Sequence, residues 1–446
     1  TNAGDTWELL AAGLTDLRPA GPVLARGSDE AYFLNRGQGL LRWDAAGRRW
    51  QEAGSRPEAK PEDGMWGTLS LAPDGVLFRA GTGLLARSDD KGESWEMLKA
   101  PGESGEIVGF TTLYTVTNTL YGTWGDLDRQ LLRSRDAGET WEPVRQAFDA
   151  AAAGWLMAGG PQLAVDAQGG LHVAWVRSGL PTMGQAQGVY YAGSADGGQT
   201  WSAALEVAAG THAWPQVATG EGGQVHLVWH EAGAQPAWWH RRSLDGGQTW
   251  TRQERISGLD GVGAPAALLQ DAGGALHLLG LAPGADAPAL LLTSWDGQRW
   301  SPPETLALDV AGAEPGLAAA LRPDLGRLEV LFRAGSGVAE TGGQPAVWHT
   351  GRQVPAVIVG PPQAAAGVPL PAVPTAAVAA ATGAPPPAGA TPLPGATPQP
   401  TAGFSTAPPP AGGSSLPVPV LLAGVLAAWV VGGGLGWSIL STRRIT

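Results

Sequence analysis

The octamer S-L-D-G-G-Q-T-W at residues 243–250 recurs as S-D-D-K-G-E-S-W at 88–95, S-R-D-A-G-E-T-W at 134–141 and S-A-D-G-G-Q-T-W at 194–201. Diverged copies lie at 2–7, 43–50 and 294–300. The Asp at the third position can accept hydrogen bonds from later backbone N–H groups, and the Gly at the fifth tolerates positive φ. Because the Thr-Trp ending favours a strand, each octamer predicts a hairpin turn. A spacing of roughly fifty residues is typical of a repeat architecture such as a propeller.

The pattern S-x-D-x-G-x-T-W resembles the Asp-box, the bacterial neuraminidase repeat of sialidase-like β-propellers, over about the first 355 residues. The resemblance implies that each octamer joins the third and fourth strands of a blade, on the rim away from the ligand site. It therefore implies a structural role, and not a catalytic one, for the Asp, Gly and Trp of the full octamers: Asp90, Gly92, Trp95, Asp136, Gly138, Trp141, Asp196, Gly198, Trp201, Asp245, Gly247 and Trp250.

A second repeated pattern predicts four-stranded units. A Gly turn followed by an apolar run of strand length occurs at 165–175, 222–229 and 273–279. The last unit has strands near 316–322, 327–333 and 345–350 but no octamer, whereas residues 6–11 offer a fourth strand without the first three. We expect these two ends to pair and close a ring, since closure removes exposed sheet edges. The predicted fold is an all-β propeller of about seven four-stranded blades, with six as the alternative.

The composition excludes several classes of function. The net charge is −12, whereas a nucleic-acid-binding protein needs a basic face. The absence of Cys excludes disulfides and thiolate metal sites. His172, His226 and His277 occupy matching places in successive second strands, whereas metal ligands must converge on one point, so we interpret these residues as repeat packing. No metal or cofactor site is predicted.

The composition changes after the predicted propeller domain, residues 1–354. Residues 355–415 are dominated by Pro, Ala, Gly and Thr, which predicts a disordered, extended linker without a core. Residues 416–440 carry no charge and are long enough for a transmembrane helix. Arg443 and Arg444, in the basic tail 441–446, place the C-terminus in the cytoplasm. The predicted location is therefore the cell membrane, with the propeller on the outside.

A glycine pair in the predicted transmembrane helix leaves two interpretations open. Gly432 and Gly436 match the G-x-x-x-G pattern that lets two membrane helices approach each other. They also lie in a run that is rich in glycine, where such a match has little specificity. Helix dimerisation is one expectation, and a monomeric anchor is the other.

Second strands often end in Arg, and their ends are one candidate ligand site. Arg36, Arg79, Arg177 and Arg333 hold such positions, and the fifth unit has His230 and Glu231 instead. Guanidinium groups at one end of a ring could clamp a carboxylate, as three arginines do in the resembled family. The alternative is that these residues are solvated strand ends. The longer connections contain Trp66, Trp124, Trp155 and Trp214, which either stack on sugar rings or shield the core.

The resemblance to sialidases stops at the catalytic residues. The Arg-Ile-Pro element of that family is absent, and nothing in the sequence pairs Tyr32, Tyr190 or Tyr191 with a carboxylate. Glycoside hydrolysis needs two placed carboxylates. The loops offer Asp63, Asp126, Asp128 and Glu231, but nothing in the sequence pairs them. Enzymatic sialidases of the family also have six blades, so seven blades would count against this activity.

Three functions follow as hypotheses. The first is a membrane-anchored surface propeller that recognises a glycan or a protein without catalysis. The second is an exo-α-sialidase-like glycoside hydrolase with a diverged active site. The third is a scaffold subunit of a membrane complex.

Overall fold

The computed structural model describes residues 8–9, 19–24, 30–35, 39–44, 46, 49–54, 68–81, 84–99, 112–116, 118–123, 131–178, 187–233, 235–263, 266–271, 273–282, 289–307, 313–322, 326–334, 346–354 and 367–373. Within these ranges the chain is all β apart from a short 3-10 helix at Glu221–Gly223. The strands form antiparallel meanders, in which strands that follow one another in the chain lie side by side. The all-β prediction is confirmed for this part of the chain.

Three four-stranded sheets follow a short strand, β1 (Glu8–Leu9). The first contains β2 (Pro19–Leu24), β3 (Ala31–Asn35), β4 (Gly39–Asp44) and β5 (Arg49–Glu52). The second contains β6 (Thr68–Leu71), β7 (Leu77–Gly81), β8 (Leu84–Ser88) and β9 (Glu96–Met97). The third contains β10 (Thr112–Val116), β11 (Thr119–Thr123), β12 (Leu132–Ser134) and β13 (Glu142–Pro143).

The central part of the chain forms one seven-stranded sheet. It contains β14 (Met157–Val165), β15 (Leu171–Ser178), β16 (Gln187–Ser194), β17 (Leu205–Thr219), β18 (Val225–Glu231), β19 (Ala237–Ser243) and β20 (Glu254–Arg255). The first part of β17 pairs with β16, where Leu205 lies opposite Tyr191. The second part pairs with β18, where Thr219 lies opposite Val225. The long strand β17 is thus the fourth strand of one meander and the first strand of the next.

The last two sheets complete the described fold. One contains β21 (Ala266–Gln270), β22 (Leu276–Ala282), β23 (Ala289–Trp295) and β24 (Glu304–Ala307). The other contains β25 (Ala313–Arg322), β26 (Arg327–Ala334), β27 (Ala346–Gln353) and, as its fourth strand, β1. Glu8 lies opposite His349 and Leu9 opposite Trp348. The predicted pairing between the two ends of the globular part is therefore confirmed.

The first strands of the meanders contact one another in a circuit. β2 contacts β6 and β25, β6 contacts β10, β14 contacts β17, β17 contacts β21, and β21 contacts β25. Between the first strands β10 and β14, the contact is a hydrogen bond: Tyr114 Oη donates to Pro161 O (3.3 Å). This circuit is the arrangement of a propeller whose first strands are innermost. Apolar side chains fill the space between sheets, such as Phe33 and Leu331 between the first and the last.

The four full octamers fold as the same turn. In each one, the Ser Oγ donates to Asp Oδ1 (2.7–2.8 Å) and accepts from the Gly N–H at the fifth position (2.8 Å). Asp Oδ1 also accepts from the N–H of the seventh residue (2.8–2.9 Å). The fifth-position glycines have φ between +88° and +91°, a conformation that a Cβ would strain. The hairpin-turn interpretation agrees with these bonds.

Residues 367–373 are the described part of the predicted linker. Their backbone pairs with the propeller, since Val368 bridges to Trp250 and Ala372 to Leu205. These residues are extended, as predicted, but they are ordered and not disordered, because backbone hydrogen bonds form without the apolar composition that a core requires.

The predicted transmembrane helix at 416–440, with Gly432 and Gly436, lies outside the described residues, as does the tail 441–446. Within the described part of the chain, no helix has the length and apolar character that a membrane span requires.

Candidate ligand-binding site

The strand ends of the seven-stranded sheet that lie away from the octamers form one continuous edge. Leu171 pairs with Ser194 of an octamer, whereas Arg177 pairs with Gln187 at the other end of β16. Gln187 pairs in turn with Thr211, and the next residue, His212, lies opposite Glu231. We call this row, Arg177, Gln187, Thr211, His212 and Glu231, the distal edge. The register thus brings Arg177 and the His230–Glu231 pair, both predicted from the sequence, to the same side of one sheet.

Arg177 lies over an aromatic platform. Its guanidinium carbon is 5.3 Å from the ring centroid of Trp155, which is a cation–π contact. A turn places Trp155 just before β14, because its N–H donates to Ala150 O (2.8 Å). The ring centroids of Phe148 and Tyr190 are 4.6 and 4.5 Å from that of Trp155. Both Arg177 and Trp155 are half-buried, and the neighbouring Leu156 is 56% exposed, so the platform faces solvent.

Tyr190 and Glu206 form a cross-strand pair next to Arg177. They lie opposite each other on β16 and β17. Burial raises the pKa of Tyr190, the charge of Glu206 raises it further, and the charge of Arg177 lowers it. The hydroxyl occupies the space above Gly188, where a Cβ would be 2.6 Å from Tyr190 Oη. The three charged or hydroxyl groups therefore act on one another.

His230 is buried just inside the distal edge. Its side chain is 7% exposed, and burial lowers its pKa to about 4, against a backbone hydrogen bond at Val262 that raises it. Nε2 of His230 has no hydrogen-bond partner among the described residues. The adjacent His212 donates from Nε2 to Ala209 O (2.6 Å). His230 is thus held in its neutral form near neutral pH.

Glu231 and Trp214 have structural partners. Glu231 Oε2 accepts from Trp239 Nε1 (2.6 Å), which fixes the carboxylate on the sheet. Trp214 has φ +55° and packs against the buried cluster that contains Trp238 and Val262. This packing favours the core-shielding alternative for Trp214 over stacking on a sugar.

The structure separates Arg79 from the distal set. Arg79 was predicted to close its strand, but β7 continues to Gly81, and Arg79 lies only two residues after Leu77, which pairs with Ser88 of an octamer. Its side chain is 4% exposed. Arg79 therefore does not end its strand, as the sequence had indicated, and ligand binding by Arg79 stays a prediction.

Other predicted residues lie wholly or partly outside the described set. Arg333 is on β26, opposite Glu314 and Val347, and only its backbone is described. The remaining residues lie outside the described ranges: Arg36, Trp66, Trp124, Asp63, Asp126 and Asp128. The candidate residues that the structure describes thus lie mainly on the seven-stranded sheet.

The histidines of the second strands hydrogen-bond within the repeat. His172 Nε2 donates to Asp166 Oδ2 (3.2 Å) and Nδ1 accepts from Tyr191 Oη (2.7 Å). His277 makes the equivalent contact with Asp271 (3.3 Å). Burial lowers the pKa of both His172 and His277. The interpretation of these histidines as repeat packing is confirmed, and the described residues contain no group of three or more His, Asp or Glu side chains that could hold a metal ion.

His226 and His240 form a different buried arrangement. His226 Nδ1 is 3.0 Å from His240 Nε2, and His240 Nδ1 is 2.7 Å from Glu254 Oε1. The two imidazole rings are parallel within 4°, and burial lowers the pKa of both. These side chains fill the space between two meanders together with Trp295, so they add to packing and not to the distal edge.

Sequence reasoning missed most of the aromatic platform under Arg177. Phe148, Trp155 and Tyr190 come from three separate segments of the chain, and only Trp155 carried a signal, as an aromatic residue in a long connection. For Tyr190 the sequence offered no carboxylate partner, and only the structure shows that its side chain extends over Gly188, towards the distal end of β16.

Comparison with known proteins gives distant structural similarities. No protein-family model and no curated protein matches the chain. A protein of unknown function from Dyadobacter fermentans is 17% identical with a TM-score of 0.44, over 77% of this chain and 98% of that chain. The leech intramolecular trans-sialidase is 12% identical with a TM-score of 0.41, over 78% of this chain and 70% of that chain. The NanB sialidase from Streptococcus pneumoniae is 13% identical with a TM-score of 0.40, over the same shares.

Proposed function

We propose that this protein is a recognition module whose propeller binds a glycan or protein ligand at the distal edge without catalysis. The observation that carries the proposal is the guanidinium of Arg177 lying 5.3 Å from the ring centroid of Trp155, with both side chains half-buried. A sugar ring or an apolar side chain would stack on Trp155 and Leu156. A carboxylate would accept paired hydrogen bonds from the guanidinium.

The lack of an acidic partner supports this role for Arg177. Among the described residues Arg177 forms no ion pair, whereas Arg133 on the octamer side is bound to Glu142 (2.8 Å) and Arg255 to Asp260 (2.5 Å). An arginine that already binds a carboxylate must break that pair to take a ligand. Arg177 keeps its donors for a ligand, so a carboxylate-bearing ligand fits this edge best.

A glycan array probed with the full chain tests the proposal. We expect binding to acidic glycans, and we expect the Trp155→Ala variant to lose most of it, since stacking on one aromatic ring contributes about 0.5–1.5 kcal/mol and the cation–π contact is lost with it. Trp201→Ala, at a half-buried tryptophan on the octamer side, is the control. Equal losses in the two variants would place the ligand elsewhere.

The glycoside hydrolase alternative is favoured by one observation. Tyr190 lies opposite Glu206, and the charge of Arg177 affects the pKa of Tyr190. A tyrosine, a carboxylate and a guanidinium thus lie near one another on one sheet. Against it, Tyr190 Oη makes no hydrogen bond to Glu206 among the described contacts, and burial raises the pKa of Tyr190. A nucleophilic tyrosine would need the opposite shift. Turnover of a fluorogenic sialoside that is abolished in both Glu206→Gln and Arg177→Ala would establish the hydrolase.

We also propose that the meanders are the seven blades of one closed propeller within residues 1–354. The pairing of β1 with β27 and the circuit of first strands support this count. In the same proposal, residues 355–415 link the propeller to a transmembrane helix at 416–440, with a cytoplasmic tail at 441–446. Membrane fractionation with protease protection tests the location, and recovery of the full chain in the soluble fraction would contradict it.

A further inference from the structure

Residues 367–373, G-V-P-L-P-A-V, lie as an extended strand along the flank of the seven-stranded sheet. Val368 exchanges two backbone hydrogen bonds with Trp250 (2.9 and 3.0 Å). Glu206 N donates to Pro371 O (2.9 Å), and Val373 N donates to Ala204 O (2.8 Å). Ala204 and Glu206 lie at the fourth strand of one meander, and Trp250 is the last residue of the octamer in the next. We call residues 367–373 the strap, because its backbone joins two neighbouring meanders.

The prolines of the strap lie where their missing N–H groups are not needed. The four bonds use the amides of Val368 and Val373 and the carbonyls of Val368 and Pro371, so Pro369 and Pro371 lose no donor. Proline is tolerated on edge strands for this reason. It also leaves an edge that cannot pair with a further strand. The sequence of the strap therefore suits a terminal strand.

The side chains of the strap pack against two buried clusters of the propeller. Leu370 packs against the buried cluster that contains Trp250, and Val373 packs against the cluster that contains Ala204. At Gly367 a Cβ would be 2.2 Å from Thr249 Oγ1, so the chain approaches closely enough to require glycine. Trp250 is 0% exposed, whereas Trp95, Trp141 and Trp201 of the other full octamers are half-buried. Trp250 is thus the octamer tryptophan that the strap accompanies.

We propose that the flank at Leu205 and Trp250 is a peptide-binding groove whose ligand is the strap of the same molecule. Strand addition supplies affinity through main-chain bonds, and the pockets for Leu370 and Val373 supply selectivity. A short peptide would bind weakly from solution, but the covalent connection through Val354 raises its effective concentration. The strap therefore fixes the chain between Gly367 and Val373 to this flank of the seven-stranded sheet.

A disulfide test exploits the absence of cysteine from the chain. Leu205 and Ala372 face each other between the two bonds Glu206 N to Pro371 O and Val373 N to Ala204 O, which is the non-hydrogen-bonded type of antiparallel pair. Such pairs have Cα atoms about 4.5 Å apart, within the range of a disulfide. The full-length Leu205→Cys/Ala372→Cys variant should oxidise to a monomer with an internal disulfide. Ser202→Cys/Ala372→Cys, three residues out of register, is the control and should oxidise at least tenfold more slowly.

The alternatives give different products. A disulfide-linked dimer would show that the groove takes the strap of a second copy, which contradicts the intramolecular assignment. Equal oxidation rates in the two variants would show that residues 367–373 move freely, which contradicts docking.

Amide exchange gives a second readout that needs no cysteine. Val368→Pro and Val373→Pro each remove an amide that donates to the propeller, and we expect about tenfold faster exchange at the Trp250 and Glu206 amides, as the loss of one net hydrogen bond implies. Ala372→Pro, whose amide takes part in none of the four bonds, is the matched control and should leave that exchange unchanged. Unchanged exchange in all three variants would overturn the proposal.

Discussion

Glu8 lies opposite His349, so β1, the first described strand, is the fourth strand of the sheet that contains β25, β26 and β27. Without this pair, β27 would present an unpaired edge, and the last meander would have three strands. His349 is itself buried, with its Nε2 2.6 Å from Glu329 Oε2 and its ring 5.1 Å from that of Trp43 in the first sheet. The closing strand therefore adds to a contact between the two ends of the globular part.

Removal of residues 1–9 should lower the midpoint of thermal unfolding by several degrees. The deletion removes the pairing with β27 and exposes an edge, and closed rings depend on such pairings. Differential scanning calorimetry of the full chain measures the change. Deletion of residues 1–4, which precede the pair, is the control, and identical midpoints for both deletions would show that closure contributes nothing.

Acid should weaken the octamer turns at low pH. Hydrogen bonds from Ser94 and Thr140 to the carboxylates of Asp90 and Asp136 lower the pKa of each to about 2, from 3.8. Because the folded pKa is depressed, the stabilisation is complete above pH 3.8 and is lost as the pH falls towards 2. Chemical denaturation at several pH values should show this loss, and Asp136→Asn should reduce it, since the amide cannot be protonated in this range. The same pH dependence in the variant would contradict the assignment.

Acidification should also cause a loss of stability through His230, in a pH range above that of the octamer carboxylates. Burial lowers its pKa from 6.5 to about 4, so the unfolded state binds a proton more readily than the folded state. The contribution of His230 is therefore complete above pH 6.5 and declines as the pH falls towards 4, by on the order of 3 kcal/mol. His230→Gln should flatten the unfolding free energy across this range. Glu221→Gln, in the exposed 3-10 helix, serves as the control and should retain the decline.

Gly188 should be more sensitive to substitution than its backbone angle alone predicts. Gly188 and Gly222 share φ +67°, but a Cβ at Gly188 would meet Tyr190 Oη at 2.6 Å, whereas nothing lies within 4 Å at Gly222. Gly222→Ala should cost about 1 kcal/mol from backbone strain. Gly188→Ala should cost more and should also weaken ligand binding, because Tyr190 must move under Trp155. Equal free energies of unfolding in urea for the two variants would contradict the crowding proposed between a Cβ at residue 188 and Tyr190.

The features that could be predicted from the sequence are those fixed by short segments. The octamer turn closes within eight residues, because Ser243 Oγ and the N–H of Thr249 both donate to Asp245. Its pattern can therefore be recognised in one short stretch. The pairing of β1 with β27 followed from counting strands on either side of the octamers. The contact between Arg177 and Trp155 could not be predicted in the same way, because the two residues come from separate segments that meet only in the folded sheet.

Two errors have identifiable physical causes. Arg79 was misplaced because the end of a strand is set by its pairing partners, and β7 continues to Gly81 through its pairing with β8. The strap was missed because its Pro- and Ala-rich composition lacks a core-forming pattern, although its contacts are mainly backbone hydrogen bonds that composition does not encode.

The central claim is that the ligand binds at the distal edge through Arg177, and a calorimetric titration tests it most directly. An acidic glycan identified on the array would be titrated into the full chain, into Arg177→Ala and into Arg133→Ala, the last an arginine on the octamer side. The account predicts that Arg177→Ala raises Kd by roughly 10- to 100-fold, as loss of a charged hydrogen bond implies, and that Arg133→Ala leaves it unchanged. An unchanged Kd in Arg177→Ala, or an equal rise in both variants, would contradict it.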